Sequence, residues 1–435
     1  MAPTIARRRM PRANRAPHSR RDPRESPTTV TRILTSRTLR GFADGFVSVL
    51  LAQYLAELGF SPVQIGAIVT ATLIGSATLT LSLGLTAHRV TLRTLLLAAS
   101  LLMVATGIGF ASITGYWPLI VVAAVGTLNP SSGDVSVFLP TEQALVANEV
   151  AAPSRPRVFA RYNIAGTIAG AFGALASGLP HLVADRVGWS LLDTQRLAFV
   201  GYALVGAIVF VLYRGLPTQA RAASGAARQG RKALGASRRT ILELSALFSL
   251  DSAGGGFVVT SILVLWLHLR FDLGAGVTGT IFFAAGLLSG CSQLLAPRLA
   301  ARIGLIRTMA YTHIPASVFL ILAAFAPTGP IAVALLLARS LFSQMDVPAR
   351  QSFVMAVIPE ERRAAAASIT NVPRSLASAA TPLLAGSLLE ASSFGWPLVI
   401  AGATKITYDL LLVGLYRHVP EQVGATRSRR APSLP

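Results

Sequence analysis

The segment Pro140-Thr141-Glu142-Gln143-Ala144-Leu145-Val146 has a counterpart 208 residues later, Pro348-Ala349-Arg350-Gln351-Ser352-Phe353-Val354. Pro, Gln and Val keep their places, and the register continues outward. Asn163 matches Asn371, Ala169 matches Ala377, Ala171 matches Ala379, Leu175 matches Leu383 and Gly178 matches Gly386. Between these anchors Pro153 to Arg157 and Pro359 to Arg363 share Pro-x-x-x-Arg, two residues out of that register. Each half closes on Leu-Tyr-Arg-x-x-Pro, at Leu212 to Pro217 and Leu415 to Pro420, and Gly-Phe-Val recurs at Gly45 and Gly256. Apolar helices resemble one another by chance, but not through polar and proline anchors in a fixed order. The chain is therefore a duplicated unit.

Composition says what the unit is. Of 435 residues 52% are hydrophobic and 13% charged, with a mean hydropathy of +0.58. A soluble domain has about a quarter of its residues charged, so this chain lacks the polar surface to face water on all sides. Bilayer-crossing helices need about 20 apolar residues each. Spans are expected at 38–58, 62–83, 94–113, 117–146, 158–179 and 196–213, and again at 241–267, 277–296, 308–326, 329–357, 364–389 and 397–416. The expected fold class is all-α: a polytopic membrane protein of about twelve transmembrane helices in two pseudo-symmetric six-helix bundles. The expected order is a basic disordered tail over 1–37, a bundle over 38–217, a linker over 218–238, a second bundle over 239–420 and a basic tail over 421–435.

The net charge of +21 follows the same plan. Lys and Arg collect before Thr38, around Arg89 and Arg93, at Arg155 to Arg161, over Arg214 to Arg239, at Arg298 to Arg307, at Arg362 and Arg363, and after Arg427. The alternate turns, near Gly59, Thr114, Ala326 and Ala391, have none. That is the positive-inside pattern; it predicts a multi-pass protein of a bacterial-type inner membrane with both termini cytoplasmic. The basic clusters are read as topology signals and lipid contacts, not as a nucleic-acid surface. The first thirty residues contain no apolar h-region, so no signal peptide is expected. The lone Cys291 excludes an internal disulfide.

With the repeat, the linker and the topology in place, the sequence resembles the major facilitator superfamily from about Thr38 to Pro420. The family's loop between helices two and three, Gly-x-x-x-Asp-Arg-x-Gly-Arg-Arg, is similar to Gly84 to Arg93, with His88 at the Asp position and Thr91 at the second Gly. The second half keeps Arg302-Ile303-Gly304 and Arg307. The resemblance implies two bundles around a central cavity, with helices one, four, seven and ten lining it, and alternating access by rocking.

Ionisable residues inside membrane spans are expensive and mark function by default. Asp44 lies in the first span, Asp134 and Glu142 in the fourth, Asp251 in the seventh, and Arg339, Asp346 and Arg350 in the tenth. Asp44, Asp251, Asp134 and Asp346 are the proton-coupling candidates. Asp251 has no base nearby on its own helix, so Arg339 is its expected partner, whereas Asp44 has Arg40 one turn away as an alternative to proton carriage. Arg339, Ser343, Asp346 and Arg350 recur at helical steps and draw one polar stripe. Arg339 lies about ten residues from the helix end, or roughly 15 Å deep. Arg339, Ser343, Gln143 and Gln351 are the solute-binding candidates. Glu142 and Arg350, at equivalent repeat positions, are expected either to pair across the bundles or to anchor locally, Glu142 on Arg89 or Arg93. With Arg302 and Arg307 they are the gating candidates. Lys405 and Asp409, four apart, are expected to pair with each other, and Gly166, Gly170 and Gly173 to form a close-packing face.

The function expected is secondary active transport of a small organic solute by alternating access, coupled to protons, with export favoured over uptake or facilitation. No nucleotide-binding Gly-x-x-x-x-Gly-Lys-Ser/Thr loop occurs. The six histidines form no metal-ligand spacing, so no cofactor, no metal and no enzymatic activity are expected. The partners expected are the solute and the lipid bilayer, with the protein a monomer. A non-transporting receptor and a membrane enzyme are the minor alternatives.

Overall fold

The computed structural model describes residues 27–86, 90–131, 137–150, 154–218, 238–357 and 363–416. Among them are sixteen helices and no strand. In chain order they are α1 (Pro27–Glu57), α2 (Pro62–Thr86), α3 (Leu92–Ser112), α4 (Tyr116–Val125), α5 (Phe138–Glu149), α6 (Arg155–Ala176), α7 (Leu179–Val187) and α8 (Leu191–Arg214). The second half gives α9 (Arg238–Gly256), α10 (Thr260–Phe271), α11 (Ala275–Ile303), α12 (Leu305–Ala324), α13 (Gly329–Phe342), α14 (Asp346–Val357), α15 (Arg363–Ala391) and α16 (Trp396–Tyr416).

Nine segments of the described residues are long and apolar enough to cross a bilayer, and α4 is a shorter apolar helix. The expected spans outside that set are the first, fourth and eleventh, and each has a physical reason. Helix α1 carries Arg32, Arg37, Arg40, Asp44 and Glu57; the fourth span is interrupted; α15 carries Arg363, Arg374 and Glu390. Much of this polarity points inward. Arg40 on α1 is 1% exposed, on a helix that also buries Val47, Leu50, Leu51 and Leu55. A helix surrounded by protein needs less hydropathy than one facing lipid.

Several boundaries differ from the sequence reading. Helix α1 starts at Pro27, eleven residues early, because Ile33 is fully buried and extends the apolar face. The connection expected over 180–195 contains α7, begun by a proline in its first turn and closed by Gly188 at φ +74°. Ser190 then caps α8 by accepting from the Asp193 N–H at 3.1 Å. Residues 219–237 of the expected linker lie outside the described residues.

Three spans are broken. The fourth stops at Gly126 and restarts at Phe138, and the tenth stops at Ser343 and restarts at Asp346. Phe138 and Asp346 are again 208 residues apart, so the repeat extends to the restart. The seventh, expected as one helix, ends on Gly254-Gly255-Gly256 and resumes at Thr260. Three glycines in a row cost about 1 kcal/mol each relative to Ala in a helix interior, which makes this the weak point of the span. The break leaves first-turn N–H groups of α10 without helical partners. One of them, on Ser261, donates to the Pro130 carbonyl at 3.2 Å, in the break of the fourth span. Each break thus supplies a partner for the other.

The two bundles meet at mid-depth and in the half away from the termini. Ser261 Oγ donates to the carbonyls of Ser48 and Pro130, at 2.8 and 3.1 Å. Gln53 bonds Thr278 at 3.2 Å, and the Leu383 N–H donates to Thr70 at 2.9 Å. At the end away from the termini, Glu390 accepts from Ser61 Oγ at 2.7 Å and the Val63 N–H at 2.9 Å. Backbones come close there: a Cβ on Gly66 would lie 2.5 Å from the Pro382 carbonyl, and one on Gly386 2.3 Å from that of Pro62. The Gly166, Gly170 and Gly173 face, by contrast, packs α6 on Arg37, Gly41 and Phe42 of α1. It serves packing within the first bundle.

Candidate solute and proton site

Each bundle contains one buried charged centre. In the first, Glu142 on α5 is fully buried and accepts from Arg40 of α1, from Tyr162 of α6 and, at 2.5 Å, from Tyr213 of α8. The Arg40 guanidinium also stacks 4.2 Å over the Phe138 ring. Four helices therefore converge on one carboxylate. Glu142 is bound neither to Arg350 nor to Arg93, which donates to Thr218 at 2.7 Å. The expected pair with Arg350 across the bundles is corrected, while the local-anchor alternative stands with Arg40 as the cation in place of Arg93: a fully buried carboxylate takes the cation that reaches it inside its own bundle. Asp44, half-buried, lies within electrostatic reach of Arg40.

The second bundle holds a longer chain of charges. Asp251 on α9 accepts from Arg350 of α14 and from Lys405 of α16, each at 2.7 Å. Arg350 also faces Asp346 at 3.7 Å. Lys405 Nζ lies 3.4 Å from His313 Nε2, and His313 Nδ1 lies 3.0 Å from Asp409, which is fully buried. Five helices contribute, because Arg374 of α15 donates to Ser252 Oγ of α9 at 3.2 Å and stands over the Phe248 ring as Arg350 does. Charges on separate helices compensate one another where no single helix can.

This arrangement corrects two further expectations. Arg339 is not the partner of Asp251, and Lys405 and Asp409 do not pair with each other. Lys405 is taken by Asp251 and Asp409 by His313, since both carboxylates lie closer to a neighbouring helix than to the next turn of their own. Arg374 and Tyr213 escaped the sequence reading, and His313 reads there only as a packed or bonded residue of the ninth span, without its partners. The signal for His313 and Arg374 was present: a lone imidazole or guanidinium inside an apolar span needs a partner, and the partners were the acids already singled out.

Arg339 remains. It lies near the end of α13, half-buried, and makes no side-chain hydrogen bond or ion pair among the described residues. The break at 343–345 separates it from Asp346 and Arg350, so the expected stripe is two short stripes on two helices. Ser343 caps α13 and is half-buried, as is Gln143 on α5. Arg302 and Arg307 are exposed at the junction of α11 and α12, and neither reaches the first bundle through an ion pair among the described residues. Asp134, Arg89 and the Gln351 side chain lie outside what is described.

The fold has counterparts among known proteins. The Major Facilitator Superfamily profile matches residues 33–338 and, in a second match, 244–435. The chain belongs to the major facilitator superfamily. It is also similar, at 24% identity over 423 residues covering 90% of this chain and 94% of the relative, to the uncharacterized membrane protein YJR124C of Saccharomyces cerevisiae. Among solved structures it shares its fold with the nucleoside transporter NupG, at a TM-score of 0.68 and 15% identity over 90% of this chain and 99% of that one. The xylose transporter XylE from E. coli, solved inward-open, gives a TM-score of 0.68 and 16% identity over 91% and 98%. Superfamily membership makes the chain a multi-pass transporter of small solutes, in a family whose members are not enzymes.

Proposed function

We propose that this transporter is a proton-coupled secondary carrier for a small organic anion, working by alternating access as a monomer. One observation carries the reading. Arg339 and Arg374 are half-buried guanidinium groups on membrane-spanning helices, and neither forms an ion pair among the described residues. A guanidinium stays charged at any working pH, and an uncompensated cation at that depth is expensive. A carboxylate or phosphate on the solute supplies the missing charge in the planar, two-pronged geometry that Arg favours. Uncharged solutes, such as those in the names of NupG and XylE, would leave both guanidinium groups without an ion pair.

Proton coupling draws support from the buried carboxylates, whose charge balance changes with each proton bound. Asp251 is held by two cations, so the network as a whole, not one isolated acid, is the coupling element. Cytoplasmic termini, expected from the basic turns, would make the state described one that is closed to the outside. Reconstituted protein should accumulate members of a panel of carboxylates and phosphorylated compounds, and the accumulation should follow an imposed pH gradient. The sign of that dependence separates export by exchange from uptake. Transport of neutral sugars or nucleosides with no carboxylate flux would overturn the anion reading.

A further inference from the structure

The charged groups of the second bundle's buried cluster can be counted among the described residues. Three carboxylates, Asp251, Asp346 and Asp409, face three basic side chains, Arg350, Lys405 and Arg374. The cluster is balanced when His313 is neutral. The three cations are not held equally. Arg350 lies 2.7 Å from Asp251 and 3.7 Å from Asp346, and Lys405 lies 2.7 Å from Asp251. Arg374 has the Ser252 hydroxyl at 3.2 Å and the Phe248 ring face at 5.8 Å, and no carboxylate within ion-pair distance among the described residues. It is the cation most easily drawn away.

His313 is placed to replace that charge. Its Nδ1 faces Asp409 at 3.0 Å; with the proton on that nitrogen, Asp409 accepts it and leaves Nε2 as the basic atom. Nε2 is 3.4 Å from Lys405 Nζ and 3.7 Å from Asp251 Oδ1. The groups facing the ring are Asp409, Lys405 and the Tyr408 ring from α16 and Asp251 from α9. Behind Asp251 stand Arg350 and Asp346 of α14 and Arg374 of α15. Helices α11 and α13 also pack on α12, and neither brings a titratable group into ion-pair range of the imidazole among the described residues. Imidazole is the one member whose ordinary titration range lies near neutrality.

We propose that Arg374 and the His313–Asp409 pair form one exchange unit. When the anionic group of a solute engages Arg374, the cluster loses its third cation and takes up one proton at His313 Nε2. The proton comes from water on the side to which the cavity is open. Nε2–H then donates to Asp251, and Nδ1–H continues to donate to Asp409. When the solute leaves, Arg374 returns and the proton is released, so one proton moves per anion. The proposal rests on the organic-anion reading above and places the proton on His313 of α12, beside Asp251 of α9.

The test needs no solute, so its failure is distinct from failure of the flux panel. Full-length protein labelled with ring-15N histidine is reconstituted in lipid nanodiscs at pH 7.5, and His313 is assigned by its loss in His313→Gln. Wild type should show a neutral imidazole, Arg374→Gln an imidazolium at His313, and Arg339→Gln the wild-type state. Lys405→Met removes a cation from the same cluster and should also charge His313, which keeps the test open if Arg374→Gln does not fold. A neutral His313 in either folded variant, or an imidazolium already present in wild type, overturns the proposal.

Discussion

Replacing Glu142 by Gln tests whether the first bundle is locked on a local charge or reserves that charge for its partner bundle. The change keeps the side chain's shape and removes its charge. Glu142 is fully buried, Arg40 is 1% exposed, and Tyr162 and Tyr213 both donate to the carboxylate. An amide offers one acceptor oxygen, so at least one of these donors loses its bond, and Arg40 becomes a buried cation without an anion. Breaking a buried pair from one side costs about 3–5 kcal/mol, a large part of a typical stability of about 5–15 kcal/mol. At roughly 2–4 °C per kcal/mol for a unit of bundle size, the unfolding midpoint should fall on the order of 10 °C. Thermal unfolding of the purified protein in detergent, followed by loss of the monodisperse species, reads that shift. The companion double variant Glu142→Leu with Arg40→Met removes both charges and should recover most of the loss, because apolar replacement of a whole buried pair is often neutral or stabilising. A Glu142→Gln midpoint within about 2 °C of wild type would refute the local lock. So would rescue of Glu142→Gln by Arg350→Gln but not by Arg40→Met, which would show that the carboxylate serves the other bundle.

Arg339→Lys keeps the charge and loses the planar fork; at about 1.5–3 kcal/mol for a charged hydrogen bond, the half-saturating solute concentration should rise about tenfold or more in uptake kinetics. Adding Asp251→Asn to Arg339→Gln should give no recovery of flux, since Asp251 is held by Arg350 and Lys405. Gly66→Leu places a side chain where even a Cβ would be 2.5 Å from the Pro382 carbonyl; it should hold the far end open, and cysteines placed there should be labelled faster than in the parent protein. Cysteine at Ser224, with Cys291 replaced, should react with impermeant reagents only after cells are opened, and rapid labelling of intact cells would reverse the expected orientation.

The repeat was legible because prolines, glutamines and glycines at a fixed separation survive where apolar residues interchange freely. It led to the two-bundle organisation, whereas the restarts at Phe138 and Asp346 came only from the structure. The pairing of charges was not legible, since pairing depends on which helices are neighbours. Lys405 and Asp409 are four apart on one helix, which suggests a local pair, yet each is closer to a partner on another helix. The break at Gly254-Gly255-Gly256 was also missed. The three glycines weaken the helix there, but the acceptor that compensates the break, the Pro130 carbonyl, is in the other half of the chain.

The distribution of strong and weak contacts accounts for how such a protein can rock. The described ion pairs each lie inside one bundle: Arg40–Glu142 in the first, and those of Asp251, Asp346 and Asp409 in the second. These contacts are desolvated and expensive to break from one side, so each bundle moves as a unit. Across the interface the structure places hydroxyl and amide bonds on carbonyls and hydroxyls, one carboxylate at the rim, and glycines that let backbones touch. Net contributions of such hydrogen bonds are about 0.5–1.5 kcal/mol each, and most of their partners can turn to water when the interface opens. These hydrogen bonds together therefore contribute on the order of several kcal/mol, the scale on which two conformations of a protein exchange and on which a bound solute can shift the balance. A buried ion pair across the gate would add a desolvation penalty to every cycle, so confining such pairs to the bundles keeps the far end closed without locking it.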